Sequence, residues 1–259
     1  MFRRFVTAIA AFLLVVPGFA PSVAFAKTKS DQTFSFPKDK PIKIVLFRPD
    51  LEVASLGASG VPTPNPDWTA DARKFILEAI QQNQSKRNIE IVPMPELTGD
   101  DDAYAAEYQS LYRAVSSSVV THNYLQKLPT KKMANGKYAF DWTLGPGTKR
   151  LGELSGGNYG LFIYGYDAYS TSGRKLMQIF VLVATSAAGV GVFPGGGQHF
   201  SYASLVDLDT GNIVWFNFYG NKKGDIRSRE GAQVRADTLL STLPLREGEV
   251  RPKPPAARR

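Results

Sequence analysis

The segment that decides the fold is YASLVDLDTGNIVWF, residues 202–216. It predicts a β-hairpin, because two runs rich in β-branched and aromatic residues, 200–208 and 213–218, flank a short polar stretch. Asp209 and Gly211 supply the residue types that a tight turn needs. A helix is predicted over about 228–243, where apolar residues recur at helical spacing. This part of the chain therefore folds as a hairpin followed by a packed helix.

Strand and helix patterns alternate upstream of the hairpin. Three strands are predicted from apolar, β-rich runs, at residues 42–47, 89–92 and 159–166. Two helices are predicted from apolar positions at helical spacing, at residues 69–85 and 100–128. A short third helix is predicted at residues 148–154, before Gly156 and Gly157. Asp100, Asp101 and Asp102 are expected to cap the second of these helices and to complement its dipole. Residues 51–66 hold several prolines and glycines and are predicted to form a long loop.

This order of elements indicates an α/β fold. The prediction is a mixed β-sheet of about five strands with helices packed on it, ending in the hairpin and a C-terminal helix. Composition changes place this single α/β domain at residues 41–244. A polar linker is expected before it, at 27–40, and a disordered, basic, proline-rich tail after it, at 245–259.

Residues 1–26 have the three parts of a secretory signal peptide. Arg3 and Arg4 give a positive start, an apolar core follows, and the Ala-Phe-Ala at 24–26 places small residues at a cleavage site. The apolar core is shorter than the roughly 20 residues of a membrane-spanning helix, and a Pro-Gly pair breaks it. We therefore expect a soluble mature chain that begins at Lys27 and works in the periplasm of a Gram-negative bacterium.

Composition restricts the chemistry that is expected of the chain. It contains no cysteine, which excludes thiol nucleophiles, thiolate metal sites, iron–sulfur clusters and a lipid-modified cysteine. The formal net charge of +8 falls to +6 without Arg3 and Arg4. Part of the remaining positive charge lies in the C-terminal tail, so we expect no nucleic-acid partner.

Asp209-Thr210-Gly211 matches the loop that carries the catalytic aspartate of aspartic proteases. That chemistry needs two carboxylates that share a proton, and a second such loop does not occur in the sequence. The same three residues between two strands are typical of a hairpin turn. We therefore predict that Asp209 is a turn residue without a catalytic role.

Three other patterns are also interpreted as structural. Ser172 and Lys175 fit the Ser-x-x-Lys pattern of penicillin-recognising enzymes, but the partner motifs of those enzymes are missing. Gly189-x-Gly191 is not followed by a helix start that could bind a phosphate. His122 and His199 lack neighbours at metal-ligand spacing. The sequence thus predicts no catalytic residue, no cofactor site and no metal site.

The hairpin, with its Thr210-Gly211 turn and Trp215, resembles a hairpin of several bacterial envelope families. These are the curli-secretion channel protein, the penicillin-binding-protein activator lipoproteins and related exported proteins with a fold like the N-terminal domain of the Tol translocation protein. The predicted strand 159–166 corresponds to a buried strand in those families. The resemblance follows the element order over about 41–243 and implies a non-enzymatic envelope protein that binds other proteins. Lipid anchoring does not carry over, because the chain has no cysteine.

Two hypotheses on function follow. The first is a non-enzymatic periplasmic protein that binds or assists an envelope protein assembly. The alternative is a membrane-associated or pore-forming envelope component that uses the apolar segment 176–193, which is close to the length of a membrane span but contains Gln178, Thr185 and Ser186. A helix over 176–190, buried against the sheet, explains this segment more simply.

Overall fold

A mixed β-sheet with helices on both faces organises the fold. The structure, a computed structural model, describes residues 27–30, 34–57, 61–84, 89–125, 136, 139–170, 199–220 and 224–249. The predicted α/β class is confirmed, as are the final hairpin and helix. The described part of the sheet has eight strands instead of about five. They are β1 (Lys27–Ser30), β2 (Lys43–Leu46), β3 (Asp50–Leu56), β4 (Pro62–Pro64), β5 (Glu90–Pro93), β6 (Tyr159–Ser170), β7 (His199–Asp207) and β8 (Ile213–Tyr219).

The strand order is β1-β8-β7-β6-β2-β5, and β3 lies beyond β2 along the same side of β6. β2 is parallel to both β5 and β6, whereas β6, β7, β8 and β1 are joined by antiparallel ladders. β6 is therefore central and is covered on both faces. This explains why its sequence is a nearly continuous apolar run instead of an alternating one.

Four α-helices are described: α1 (Pro66–Gln84), α2 (Asp100–Val120), α3 (Thr148–Ser155) and α4 (Arg229–Leu240). α2 continues into a π-helical turn, Thr121–Leu125. Its N-cap residue is Gly99 and no side chain caps it, so the three aspartates that follow only complement the helix dipole. α4 has a side-chain cap, because Ser228 Oγ accepts a hydrogen bond from the Gly231 N–H at 3.1 Å.

Alternate side chains of β6 enter two separate cores. Leu161 and Ile163 pack in the core formed with α1 and α4, while Phe162 packs in the one formed with α2 and α3. On the second face the Phe162 ring stacks on Tyr112 of α2, with ring centroids 4.7 Å apart. The sheet is thus the middle layer of three, and its edges are the places where it meets solvent.

Two stretches in which the sequence predicts no regular structure contain strands. The loop predicted over 51–66 contains β3 and β4, because the prolines of β4 lie on an edge strand that pairs on one side only. The linker predicted over 27–40 contributes β1, which pairs with β8, and the fully buried Phe36.

The first residues of the predicted tail also pack on the domain. Phe36 N–H donates to Leu245 O at 3.1 Å, and Glu247 N–H donates to Phe36 O at 3.0 Å. Packing therefore extends past residue 244. The predicted signal peptide 1–26, the apolar segment 176–193 and the tail beyond residue 249 lie outside the described residues.

Candidate functional site

The sheet has a gap in one edge, next to the Arg48-Pro49 pair. β2 pairs with the first residues of β6 and β3 with its later ones, so residues 47–49 interrupt what would otherwise be one strand. β5 flanks β2 only, and β4 flanks β3 only from Ala54 onwards. Among the described residues, none forms a strand along the outer side of residues 48–53.

Side chains of α1 and the backbone just before it satisfy the polar groups along this gap. Arg73 Nη2 donates to Leu51 O at 3.1 Å. Val53 N–H donates to Thr69 Oγ1 at 3.1 Å, and Val53 O accepts from Asn65 N–H at 2.8 Å. These contacts blunt the edge, so the gap is not an open template for the addition of another strand.

A cleft runs across the gap from α1 to α2. It consists of three adjoining hollows of about 420, 470 and 350 Å³. Arg73 lines all three, and Arg48 and Pro49 line two of them. We call it the edge cleft and define it by the residues that line the hollows: Arg48, Pro49, Asp50, Leu51, Glu52, Val53, Ala54, Pro62, Pro64, Pro66, Thr69, Ala70, Arg73, Lys74, Leu77, Glu78, Gln81, Ala106, Gln109, Ser110, Arg113 and Tyr166.

The position of the cleft follows from the topology. It opens where β2 ends at Leu46, on the carboxyl side of a parallel strand. Ligands of open α/β sheets characteristically bind outside the carboxyl ends of their parallel strands. The edge cleft is therefore the candidate functional site.

The α2 side of the cleft is a closed network of charges. Arg113 Nε lies 3.4 Å from Asp50 Oδ2, and Arg113 Nη2 also pairs with Glu52. The guanidinium lies over the Tyr164 ring, 5.0 Å from its centroid. Burial lowers the pKa of Arg113, but the hydrogen bond to Tyr164 and the charge of Asp50 raise it by more. Arg113 is therefore held as a cation by its own neighbours.

The α1 side of the cleft is less compensated. Partial burial and the nearby Arg48 lower the pKa of Arg73, and Asp50 opposes this only in part. Arg73 Nε is buried and has no hydrogen-bond partner among the described residues. Glu78, the acid on this side, pairs with Arg229. Arg73 of α1 and Arg48 of the strand break thus line one hollow, where the electrostatic potential is positive.

A second polar cluster lies inside the domain, between β6, β7 and α4. Asp167 Oδ2 accepts from Arg235 Nη2 at 3.1 Å and from the Tyr169 hydroxyl at 2.9 Å. Arg235 Nη1 donates to Ser201 Oγ at 2.5 Å, and Nη2 donates to Gly224 O at 3.0 Å. Asp167 and Arg235 are 0% and 1% exposed. We call these residues the buried hub.

A histidine lies beside the serine and the aspartate of the hub, but the three side chains do not form a nucleophilic arrangement. An activated serine needs a base within hydrogen-bond reach of its hydroxyl. Arg235, a cation, holds that position beside Ser201. His199 Nδ1 lies 3.4 Å from Asp167 Oδ1 without forming a hydrogen bond to it. The hydrogen bonds of Arg235 to Ser201 and Asp167 instead join α4 to the sheet.

The structure keeps the two histidines apart. His199 begins β7 beside the hub, while His122 lies in the π-helical turn with its ring parallel to Trp142 at 6.5 Å. Within the described residues there is no group of three or more His, Cys, Asp or Glu side chains that could hold a metal ion. Ser172, Gly189 and Gly191 lie outside the described residues.

Asp209 lies in the hairpin turn, where the sequence places it. The side chain that organises the turn is nevertheless that of Asp207, whose Oδ1 accepts from the N–H groups of Asp209 at 3.0 Å and Thr210 at 3.1 Å. Gly211 has φ +78° and packs against Gly145, where a Cβ would lie 2.0 Å from the carbonyl oxygen. This turn therefore requires glycine.

None of the helices in the described ranges has the length and apolar character needed to cross a membrane.

Comparisons with known proteins give weak likenesses. No family model and no curated protein matches the chain. A PelC dodecamer from Paraburkholderia phytofirmans matches with 11% identity and a TM-score of 0.31, over 83% of this chain and 95% of that chain. Lipoprotein GNA1162 from Neisseria meningitidis matches with 14% identity and a TM-score of 0.30, over 76% of this chain and 94% of that chain. Neither structure is a Tol or curli protein, and likeness at this level assigns the chain to no family.

Proposed function

We propose that this chain is a non-enzymatic, exported envelope protein that binds a partner protein through the edge cleft. The observation that carries the proposal is the gap in the sheet at residues 48–53, where three adjoining hollows meet at Arg73. The backbone there is already satisfied by α1. A partner would therefore be recognised by side chains in the hollows and not by strand pairing.

The polar chemistry of the domain supports binding over catalysis. Asp167 is neutralised by Arg235, and Ser201 Oγ accepts a hydrogen bond from that same cation. The carboxylates of the cleft are engaged as well, Asp50 and Glu52 by Arg113. These groups stabilise each other in the ground state, whereas a general acid or base needs a proton that it can exchange with a substrate.

The expected export supports a partner in the cell envelope. The signal-peptide pattern ends at residue 26, and β1 begins at Lys27. Cleavage after residue 26 would therefore leave β1 available to pair with β8.

Site-specific photo-crosslinking in the native host tests this function. A photoreactive amino acid is placed at Gln81, on the α1 side of the cleft, or at Ser110, on the α2 side. Lys149, which is exposed on α3, serves as the control position. We expect one crosslinked protein species from both cleft positions and none from Lys149. Crosslinks of equal yield at all three positions, or none at the cleft, would contradict the proposal.

A further inference from the structure

The positive side chains of the cleft divide into two classes. The three acids in the cleft, Asp50, Glu52 and Glu78, pair with Arg113, Arg113 and Arg229 respectively. Arg48, Arg73 and Lys74 make no ion pair among the described residues, although all three line the 420 Å³ hollow. The intramolecular ion pairs of the described residues therefore leave three cations without a direct carboxylate partner, which we call the cation cluster.

Arg73 is the member of the cation cluster that is fixed in place. One of its terminal nitrogens donates to Leu51 O at 3.1 Å, which orients the guanidinium toward the start of β3. A carboxylate is the acceptor whose geometry fits a guanidinium best. The free protein thus holds an oriented cation that lines all three hollows.

The walls beside the cation cluster are apolar. Pro49, Ala70 and Leu77 line the same hollow as the three cations. The adjoining 470 Å³ hollow is lined by Pro62, Pro64, Pro66 and Tyr166, among others. Prolines and tyrosine present rigid surfaces for apolar or aromatic side chains.

The combination of cations and apolar walls favours one class of anionic ligand over the others. An anionic lipid surface or a nucleic acid is bound by broad, exposed positive surfaces. Here Asp50, Glu52 and Glu78 flank the cations, so the positive potential is confined to the edge cleft. A peptide segment with acidic side chains next to apolar ones matches both the confined charge and the apolar walls.

We infer that the cation cluster binds the carboxylate side chains of an acidic, partly apolar peptide segment, with Arg48, Arg73 and Lys74 as its contacts. This inference rests on the proposed function, because it names the chemistry of the partner segment that the edge cleft receives. The apolar residues of the segment occupy the hollow of Pro62, Pro64 and Pro66.

Fluorescence anisotropy with purified mature protein tests the inference. The probe is a fluorescein-labelled peptide that repeats Leu-Glu-Asp-Phe-Glu-Asp, and its matched control is Leu-Gln-Asn-Phe-Gln-Asn. The protein variants are Arg48→Gln and Lys74→Gln, both at exposed positions, together with Arg73→Lys, which keeps the charge but not the forked donors. Lys149→Gln, on α3, removes the same charge elsewhere.

We expect the acidic peptide to bind and the amide peptide to bind much more weakly. Arg48→Gln and Lys74→Gln each raise the Kd about tenfold, as expected for the loss of a charge-assisted hydrogen bond. Lys149→Gln changes the Kd by less than about twofold. The Kd of Arg73→Lys lies between these limits. Thermal melts confirm that each variant is folded.

Three results would overturn the inference: no binding of the acidic peptide, equal binding of the amide peptide, or equal weakening by Lys149→Gln. Binding to anionic vesicles of phosphatidylglycerol is measured separately. If the protein binds the vesicles but not the peptide, and the cleft variants lose vesicle binding, the cation cluster binds a lipid surface instead. The crosslinking result decides the proposed function separately. A cleft crosslink combined with no peptide binding would reject only the acidic-peptide inference.

Discussion

Arg235 Nη2 of α4 lies 3.1 Å from Asp167 Oδ2 of β6, and the two side chains are 1% and 0% exposed. The pair fixes the helix to the centre of the sheet at one point. Removing one member of a buried pair leaves an uncompensated charge, which costs about 3–5 kcal/mol. Substitution of either member of the pair should therefore destabilise the domain strongly.

We predict that Arg235→Met lowers the free energy of unfolding by about 3–5 kcal/mol, because Asp167 remains buried without its cation. The double variant Asp167→Asn/Arg235→Met should recover a large part of that loss, since no charge is then left unpaired. Urea melts of the two single variants and the double variant measure the coupling. Strictly additive losses would contradict the predicted coupling.

The hairpin turn gives a second prediction. Asp207→Ala removes the acceptor of two backbone N–H groups and should cost about 1 kcal/mol. Asp209→Asn should change stability by less than about 0.5 kcal/mol, because its side chain is exposed in the turn. Thermal melts of both variants test the assignment. A larger loss for Asp209→Asn would show that the wrong aspartate has been identified as the organiser of the turn.

The contact between Asp225 and Arg227 gives a prediction on pH. Burial raises the pKa of Asp225, but hydrogen bonds from Arg227 lower it by more, to about 2. Because the folded-state pKa lies below the unfolded value of about 3.9, the ionised carboxylate stabilises the fold above about pH 3.9. This contribution is lost as the pH falls through about 2.

Wild type should therefore be more stable than Asp225→Asn near neutral pH, and the difference should disappear at the acid end. The carboxyl is partly exposed, so solvent screening limits the difference to about 1 kcal/mol. Urea melts of both proteins across the acid range measure it. A stability difference between the two proteins that grows as the pH falls would contradict the predicted direction of the pH dependence.

The N-terminus gives a fourth prediction. We expect the protein recovered from the periplasm to begin at Lys27, because the Ala-Phe-Ala at 24–26 follows an Arg-led apolar core. N-terminal sequencing measures this directly. Recovery of the chain with Met1 in the membrane fraction would contradict it.

Regular periodicity made most of the fold predictable. The hairpin, the central strand and the helices α1, α2 and α4 were located because apolar residues recur there at strand or helical spacing. β3 and β4 were missed because the prolines around residues 62–66 suggest a loop, although proline is compatible with an edge strand. β1 was missed because it is short and polar, and only pairing with β8 makes it a strand.

The sites were less predictable, because both depend on contacts between distant segments. The edge cleft requires β2 and β3 to share one side of β6, which no local pattern of residues encodes. The buried hub did leave a signal. Arg235 lies on the apolar stripe of α4 with Ala232, Ala236 and Leu239, and Asp167 interrupts an apolar strand. Opposite charges at two inward positions predict a buried pair.

The native mass of the tagged, full-length protein, released from its host by osmotic shock, tests the central claim most directly. Wild type and the Lys149→Glu control should elute together in a complex larger than the purified protein alone. Arg48→Glu/Lys74→Glu should elute at the position of the purified protein, because charge reversal in the edge cleft repels the acidic partner. Elution of all three proteins at the same position, whether large or small, would contradict the claim that the edge cleft binds the partner.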